Sequence, residues 1–355
     1  MPRQVPGSTS ASSRFAESRV WSRYHPRMTA NRSAAALSGL ARVMAHCGGS
    51  PMQAIQYING AIASAPEDPE PYAILADLWK EQRAAVAGLL KGADSPGAIL
   101  VHSYISFLEN DMDDAAMAIG GVTGARPTVA WADAPWFSDA RFLDAVSADA
   151  LAEAVMRTMD FGHDLDTEDM RKRLRPWFRA IDVVCAREPL PEAMAKMAIF
   201  LRASGRTDAS FALCDRADAV EPIMLTETVR AGTWRRLGDS DKAAAAFQRA
   251  LVLDPANWSL YLDLADIRAG QGDFASAVQL VEQGLEHEPT EPTLRAAGAA
   301  YRTRITGSPD GLRELIALAP QLPNGSYRGL LIDLACGNAA LPAELVAEAR
   351  RLKSR

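Results

Sequence analysis

Apolar side chains recur at helical spacing along much of this sequence. Two segments carry the i, i+3, i+4, i+7 pattern that places apolar residues on one face of an α-helix: Met194, Met197, Ala198 and Leu201, and Tyr72, Leu75, Ala76 and Trp79. Ser147 is the predicted N-cap of a further amphipathic helix, and Asp166 or Thr167 that of another. Pro176 lies inside this last segment and predicts a kink or a break in its helix.

The predicted helices repeat with a fixed period. In residues 224–289, five pairs of positions are each 34 residues apart: Gly238 and Gly272, Ala243 and Ala277, Phe247 and Val281, Ala250 and Gly284, and Pro255 and Pro289. Each unit is predicted to contain helix A, a turn at the glycine, and helix B. Glycine is expected in the turn because it takes positive φ without a steric penalty. The small residues let the two helices pack closely, and the proline stops helix B.

This period and these residues resemble the tetratricopeptide repeat, whose unit is 34 residues long. The resemblance implies an all-α fold, an α-solenoid that winds as a right-handed superhelix of helix hairpins. The same register continues at two further sets of positions: Gly205, Ser210, Cys214, Ala217 and Pro222, and Gly49, Ala54, Ile58, Ala61 and Pro66. Asn110 takes the turn position of another unit, with Ala115 and Ile119 on its helix B.

The register divides the chain into four parts. Residues 1–30 are expected to form a disordered basic tail, and whether Met1 or Met28 is the true start is left open. Residues 31–129 form an N-terminal repeat array in this interpretation, and residues 191–355 form a C-terminal array with a capping hairpin. Residues 130–190 do not fit the register and are predicted to be an aromatic-rich helical insert.

Composition and charge narrow the classes of function. Hydrophobic residues make up 48% of the chain while aromatic residues make up 7%, which favours Ala-rich packed helices over sheets. The net charge of −6 gives no reason to expect nucleic acid as a partner. The apolar runs are too short for a membrane span. The four cysteines form no CxxC pair, so we expect reduced thiols and a cytoplasmic protein.

Chemistry-bearing residues are sparse. His163 lies among Asp164, Asp166, Glu168 and Asp169, a grouping that suits a metal or acid–base site but also the acidic N-terminus of a helix. The helix N-terminus is the preferred interpretation. We therefore predict no catalytic residue, no metal and no cofactor.

The resemblance also indicates a binding surface, because helix A lines the inner groove of tetratricopeptide arrays. The groove positions carried over to this sequence include Arg202, Thr228, Arg235, Arg236, Asp266, Thr303, Arg304, Tyr104 and Phe107. Arginines dominate the C-terminal set, which would suit an acidic peptide or a carboxylate. Tyr104 and Phe107 are expected either to form an exposed apolar patch or to be buried between the arrays.

These features predict a scaffold or adaptor that binds a protein or peptide partner in its groove, rather than an enzyme. A homo-oligomer is left open. The alternative hypothesis is an accessory or substrate-recognition subunit of an enzyme, or an unrecognised enzyme, with its site in residues 130–190.

Overall fold

The computed structural model of the chain describes residues 34–46, 49–91, 95–322 and 325–353. The predicted basic tail, residues 1–30, lies outside these ranges. The regular structure of the described ranges is helical, and each helix packs on its neighbours along the chain, which confirms the predicted all-α solenoid. Short 3-10 helices are present at Trp131–Asp133, Pro135–Ser138 and Ala319–Gln321.

The first nine α-helices extend through the predicted N-terminal array and the insert. They are α1 (Ala34–His46), α2 (Pro51–Ser64), α3 (Glu70–Leu90), α4 (Pro96–Leu108), α5 (Met112–Ala125), α6 (Ala140–Leu143), α7 (Ala148–Arg157), α8 (Glu168–Arg173) and α9 (Arg175–Arg187). The remaining helices are α10 (Pro191–Ala203), α11 (Thr207–Val220), α12 (Met224–Arg236), α13 (Ser240–Leu253), α14 (Trp258–Gly270), α15 (Phe274–His287), α16 (Pro292–Thr306), α17 (Pro309–Leu318), α18 (Gly325–Ala335) and α19 (Ala343–Arg351).

The turns between helices A and B have the predicted backbone geometry. Gly205, Gly238 and Gly272 have φ angles of 76°, 78° and 83°, respectively. Asn110, the non-glycine residue in the turn between α4 and α5, has a φ of 63°. Asparagine is among the residues that tolerate this left-handed region best. These four predicted turn positions are therefore confirmed.

The small and apolar residues of helix B are buried, as the repeat pattern predicted. Ala243 and Ala277 are fully buried, and Phe247 and Val281 are buried beside them. Gly284 permits a close approach, since a Cβ there would lie 3.2 Å from Leu294. Burying a side chain of the size of Phe247 or Val281 contributes roughly 1.5–3 kcal/mol to the stability of the fold.

The N-terminal helices follow the pattern with one irregularity. α3 contains a non-helical residue, Gln82, with φ −131° and ψ 35°. The kink separates a helix A that buries Tyr72 and Leu75 from a short second helix. The Gln82 amide donates to the Ala45 carbonyl at 3.3 Å, which ties the kink to α1.

Residues 130–190 form short helices that share one core with their neighbours. The helical segment is interrupted at Leu174, between α8 and α9. Pro176 lies in the first turn of α9, so the predicted break is present. Ser147 caps α7, where its hydroxyl accepts from the Ala150 amide at 3.1 Å. A continuous apolar core extends from α1 to α12 through this segment. The division into two arrays and an insert stays a prediction.

Six of the seven bulky aromatic residues in this segment are buried: Trp131, Trp136, Phe137, Phe142, Trp177 and Phe178. Phe161 is exposed. The Phe137 and Trp177 ring centroids lie 4.7 Å apart, and those of Phe137 and Phe142 lie 4.9 Å apart. The aromatic residues therefore fill the core between the helices of this segment.

Candidate binding surface

A strip of charged and polar side chains links the A helices of the C-terminal part, α10, α12, α14, α16 and α18. We define the A-face strip as Arg202, Arg235, Arg236, Asp263, Asp266, Tyr301 and Tyr327, together with Asp166 from the loop before α8. Hydrogen bonds and ion pairs within the strip join one helix to the next, so its side chains are held in place relative to one another.

Arg202 lies at the junction of α10 and α12. Its Nη1 donates to the Val229 carbonyl at 3.3 Å. The guanidinium lies directly against the backbone of Gly232, where a Cβ would be 2.0 Å from Nη1. Burial lowers the pKa of Arg202, and the charges of Arg236 and Arg235 lower it further. Three of the four predicted groove arginines, Arg202, Arg235 and Arg236, therefore lie near one another.

Arg236 is paired with a carboxylate from outside the repeats. Its Nη2 donates to Asp166 Oδ2 at 2.6 Å, and the Nε of Arg171 lies 3.8 Å from the other oxygen of Asp166. Asp166 also lies against the turn at Gly205, where a Cβ would come within 1.8 Å of Oδ1. The sequence did not indicate this contact, because Asp166 belongs to a segment outside the repeat register.

Arg235 is paired with Asp263 of α14. Their Nη1 and Oδ1 atoms are 3.1 Å apart. Burial raises the pKa of Asp263 to about 6, the charge of Asp266 acts in the same direction, and the charge of Arg235 and its hydrogen bond oppose them. The prediction from sequence missed Asp263, although it lies one helical turn before Asp266 on the same face of α14.

Asp266 is the point where three A helices meet. It accepts hydrogen bonds from Tyr301 of α16 and, at 3.0 Å, from Tyr327 of α18. Burial raises the pKa of Asp266, whereas the two tyrosine hydrogen bonds lower it. Burial also raises the pKa of both tyrosines. The hydroxyls therefore stay protonated and act as donors.

Three predicted groove residues lie elsewhere or bond only locally. The Thr228 hydroxyl donates to the Met224 carbonyl of its own helix at 3.1 Å. Thr303 is fully buried against α17, where a Cβ on Gly311 would lie 2.4 Å from its hydroxyl oxygen. Arg304 points to the turn after α18, against Gly337. Thr303 is therefore a packing residue, because it lies on the side of α16 that faces helix B.

Tyr104 and Phe107 are core residues. They are 9% and 6% exposed, and Trp136 covers both, with ring centroids 6.4 Å from Tyr104 and 5.4 Å from Phe107. Arg141 lies 4.7 Å from the centroid of the Phe107 ring. Of the two expectations, the structure shows burial rather than an exposed patch, since the segment after α5 folds over both rings, and neither residue lines an open groove.

The acidic grouping around His163 belongs to the start of α8. The Thr167 hydroxyl accepts from the Met170 amide at 3.2 Å and caps the helix. Asp166 instead reaches Arg171 and Arg236. Among the residues that the structure describes, no group of three or more His, Cys, Asp or Glu side chains is arranged to hold a metal ion.

Residues 235–301 match a family model described as the tetratricopeptide repeat. This part of the chain is a tetratricopeptide repeat region. The matched residues extend from the end of α12 into α16 and include two of the turn glycines, Gly238 and Gly272. Repeats of this family form a fold used in protein interactions.

No curated protein sequence matches this chain. Among solved structures, it is similar to a tetratricopeptide repeat protein from Parabacteroides merdae, at 13% identity and a TM-score of 0.35, covering 92% of this chain and 100% of that one. It is also similar to a thermophilic tetratricopeptide repeat protein from Thermus thermophilus, at 16% identity and a TM-score of 0.35, covering 58% of this chain and 98% of that one. It is also similar to a chain of the APC/C hetero-tetramer Cut9–Hcn1, at 12% identity and a TM-score of 0.38, covering 87% of this chain and 55% of that one.

In the described part of the chain, no helix combines the length and the apolar character that crossing a membrane requires.

Proposed function

We propose that this protein is a scaffold or adaptor whose A-face strip binds a segment of a partner protein. The observation that carries the proposal is the chain of inter-helix bonds that joins Arg235 to Asp263, and Asp266 to Tyr301 and Tyr327. These bonds hold polar groups in one arrangement before any partner arrives. Binding to such a surface loses less side-chain entropy, because the rotamers are already restricted.

The exposure of the strip supports the same proposal. The side chains of Arg235 and Arg236 are 48% and 41% exposed although both are paired. Each therefore has hydrogen-bonding capacity left for a partner, since a guanidinium carries five N–H donors. We expect the part of the partner that contacts these arginines to be acidic.

Binding rather than catalysis is part of the proposal, as is the cytoplasmic location expected from the cysteines. The alternative, an enzymatic site in residues 130–190, has less support. The aromatic residues that motivated it fill the core, and Asp166 is engaged with Arg171 and Arg236.

Site-specific photo-crosslinking tests the proposal in the cells that make the protein. A photoreactive amino acid at Thr228 of α12 or at Ser259 of α14 places the probe beside the A-face strip, two helical turns before Arg235 and one turn before Asp263, respectively. Matched probes at Val252, which is 80% exposed, and at Glu282 lie on the B helices α13 and α15. We expect one partner to crosslink from the A-helix positions and to be absent from the B-helix positions.

The captured partner is identified by mass spectrometry and its binding is measured with purified proteins. Substitution Arg235→Gln should weaken this binding, whereas Val252→Ala should leave it unchanged. Crosslinks that form equally from the A-helix and the B-helix positions, or only from the B-helix positions, would contradict the proposal.

A further inference from the structure

Arg202 carries a charge that the protein leaves without a carboxylate partner. Among the described residues, its one hydrogen bond goes to the neutral Val229 carbonyl, and no ion pair of Arg202 exists. The charged side chains that act on it most strongly are Arg236 and Arg235. A half-buried guanidinium beside two like charges is costly, because burial weakens the solvent screening between them.

The backbone around Arg202 is shaped to accept its side chain. Gly232 of α12 offers no Cβ, and any larger residue there would collide with the guanidinium. Arg202 therefore lies between α10 and α12, with its Nη1 against the backbone of Gly232 and hydrogen-bonded to the Val229 carbonyl. Its remaining N–H donors suit the recognition of a planar oxyanion.

A carboxylate from the chain itself already occupies one side of this cluster. Asp166 accepts from Arg236 at 2.6 Å and lies against the turn at Gly205, directly after α10. Asp263 forms an ion pair with Arg235 in the same way. Of the three arginines, two are thus neutralised within the molecule, and Arg202 is the one whose charge remains uncompensated.

We propose that the cluster of Arg202, Arg235 and Arg236 binds a Glu or Asp carboxylate of the partner, and that Asp166 competes with this carboxylate as an internal ligand. The inference rests on the proposed function and adds the chemistry of the partner at one point of the A-face strip. A protein segment is favoured over nucleic acid, because two of the three arginines are already paired with carboxylates and the cluster is too small for the row of phosphate contacts that nucleic acid binders make.

The probe for this site is a fluorescein-labelled peptide of alternating Glu and Ser residues, titrated with the full chain and followed by fluorescence anisotropy. A peptide with Gln in place of every Glu is the matched control. We expect the Glu peptide to bind and its affinity to fall as salt is raised, since exposed charges are screened. The Gln peptide should bind at least about tenfold more weakly, as expected for the loss of charge-assisted hydrogen bonds.

Substitutions separate this site from a general charge effect. Arg202→Gln should lower the affinity for the Glu peptide about tenfold. Arg313→Gln removes the same charge from an exposed position on α17, where Arg313 pairs with Asp310, and should leave the affinity for the Glu peptide unchanged. Arg236→Gln serves as a second, more exposed variant in case Arg202→Gln disturbs folding, which circular dichroism would detect.

A separate variant tests whether Asp166 competes with the carboxylate of the partner. Asp166→Asn keeps the shape of the side chain but removes its charge, and should raise the affinity for the Glu peptide several-fold. A fall in affinity instead would overturn the competition and make Asp166 a positioning residue for Arg236.

Two results would overturn the carboxylate site. One is failure of the wild-type protein to bind the Glu peptide. If crosslinks from Thr228 and Ser259 persist in that case, the proposed function stands without this site. The other is tighter binding of the same peptide carrying phosphoserine in place of Glu, which would assign the cluster to phosphate.

Discussion

The carboxylate of Asp166 accepts a hydrogen bond from the guanidinium of Arg236 at 2.6 Å, although the two residues are 70 positions apart in the sequence. Asp166 lies in the loop before α8, and Arg236 is the last residue of α12. The bond joins a segment without repeat character to the most regular part of the solenoid. It also decides how much positive charge the A-face strip presents.

The energy of this contact can be measured with a double-mutant cycle. We expect Asp166→Asn and Arg236→Gln to be coupled by about 0.5–1 kcal/mol, because both side chains are partly exposed and solvent screens them. Urea unfolding of the wild type, both single variants and the double variant gives the value. Asp310 and Arg313, an exposed pair within α17, should show a smaller coupling. Equal coupling in the two pairs would mean that the Asp166 contact has no special role.

A turn glycine should resist substitution for conformational reasons alone. Gly238 has a φ of 78° and open space where a Cβ would go, so Gly238→Ala should destabilise the protein by about 1–2 kcal/mol through backbone strain. Gly121 in α5 is the matched control, because it also has open space but lies within a helix. Gly121→Ala should stabilise by up to about 1 kcal/mol. Thermal unfolding measures both, and a loss of stability at Gly121 would refute this account.

Asp263 should make stability depend on pH. Its folded pKa of about 6 lies above the usual value of about 4, so the folded state binds this proton more tightly than the unfolded state. Raising the pH from 4 to 6 therefore favours unfolding, and the penalty is fully present above pH 6. Because the side chain is about a third exposed, we expect the penalty to be only about 1 kcal/mol.

The variant Asp263→Asn isolates this effect. Its stability relative to the wild type should increase between pH 4 and pH 7 in urea unfolding curves. The control is Asp333→Asn, which removes an exposed carboxylate paired with Lys353 on the surface. A relative stability of Asp263→Asn that is constant or falls over this range would contradict the raised pKa.

Arg230 should be the most sensitive arginine of the fold. Its side chain is 12% exposed and pairs with three carboxylates: Asp215, Asp218 and Glu227. Arg230→Gln removes the counter-charge of Asp215 and Asp218, while Glu227 keeps its ion pair with Arg249, so we expect a loss of about 3 kcal/mol.

The exposed Arg295, which lies 3.8 Å from Glu314, is the control for Arg230. Arg295→Gln should cost no more than about 1 kcal/mol. Unfolding free energies from urea titrations compare the two variants. A loss at Arg230 as small as that at Arg295 would show that solvent compensates the carboxylates left without a counter-charge.

The sequence by itself determined the local structure of the repeats. Gly238, Gly272 and Asn110 were assigned to turns because few residues tolerate positive φ, and Ala243 and Ala277 to the interior because only small side chains fit between two helices. These are properties of neighbouring residues along the chain, and a fixed period of 34 residues repeats them. The break before α9 also followed from Pro176 alone.

The tertiary structure decided which side chains share a surface. Thr303 faces helix B although its place in the repeat suggested the groove, because the orientation of α16 depends on how it packs against α17. Trp136 buries Tyr104 and Phe107, and Asp166 reaches Arg236, only because a segment outside the register folds back onto the repeats. Contacts between distant residues depend on the packing of whole helices, which a local pattern does not encode.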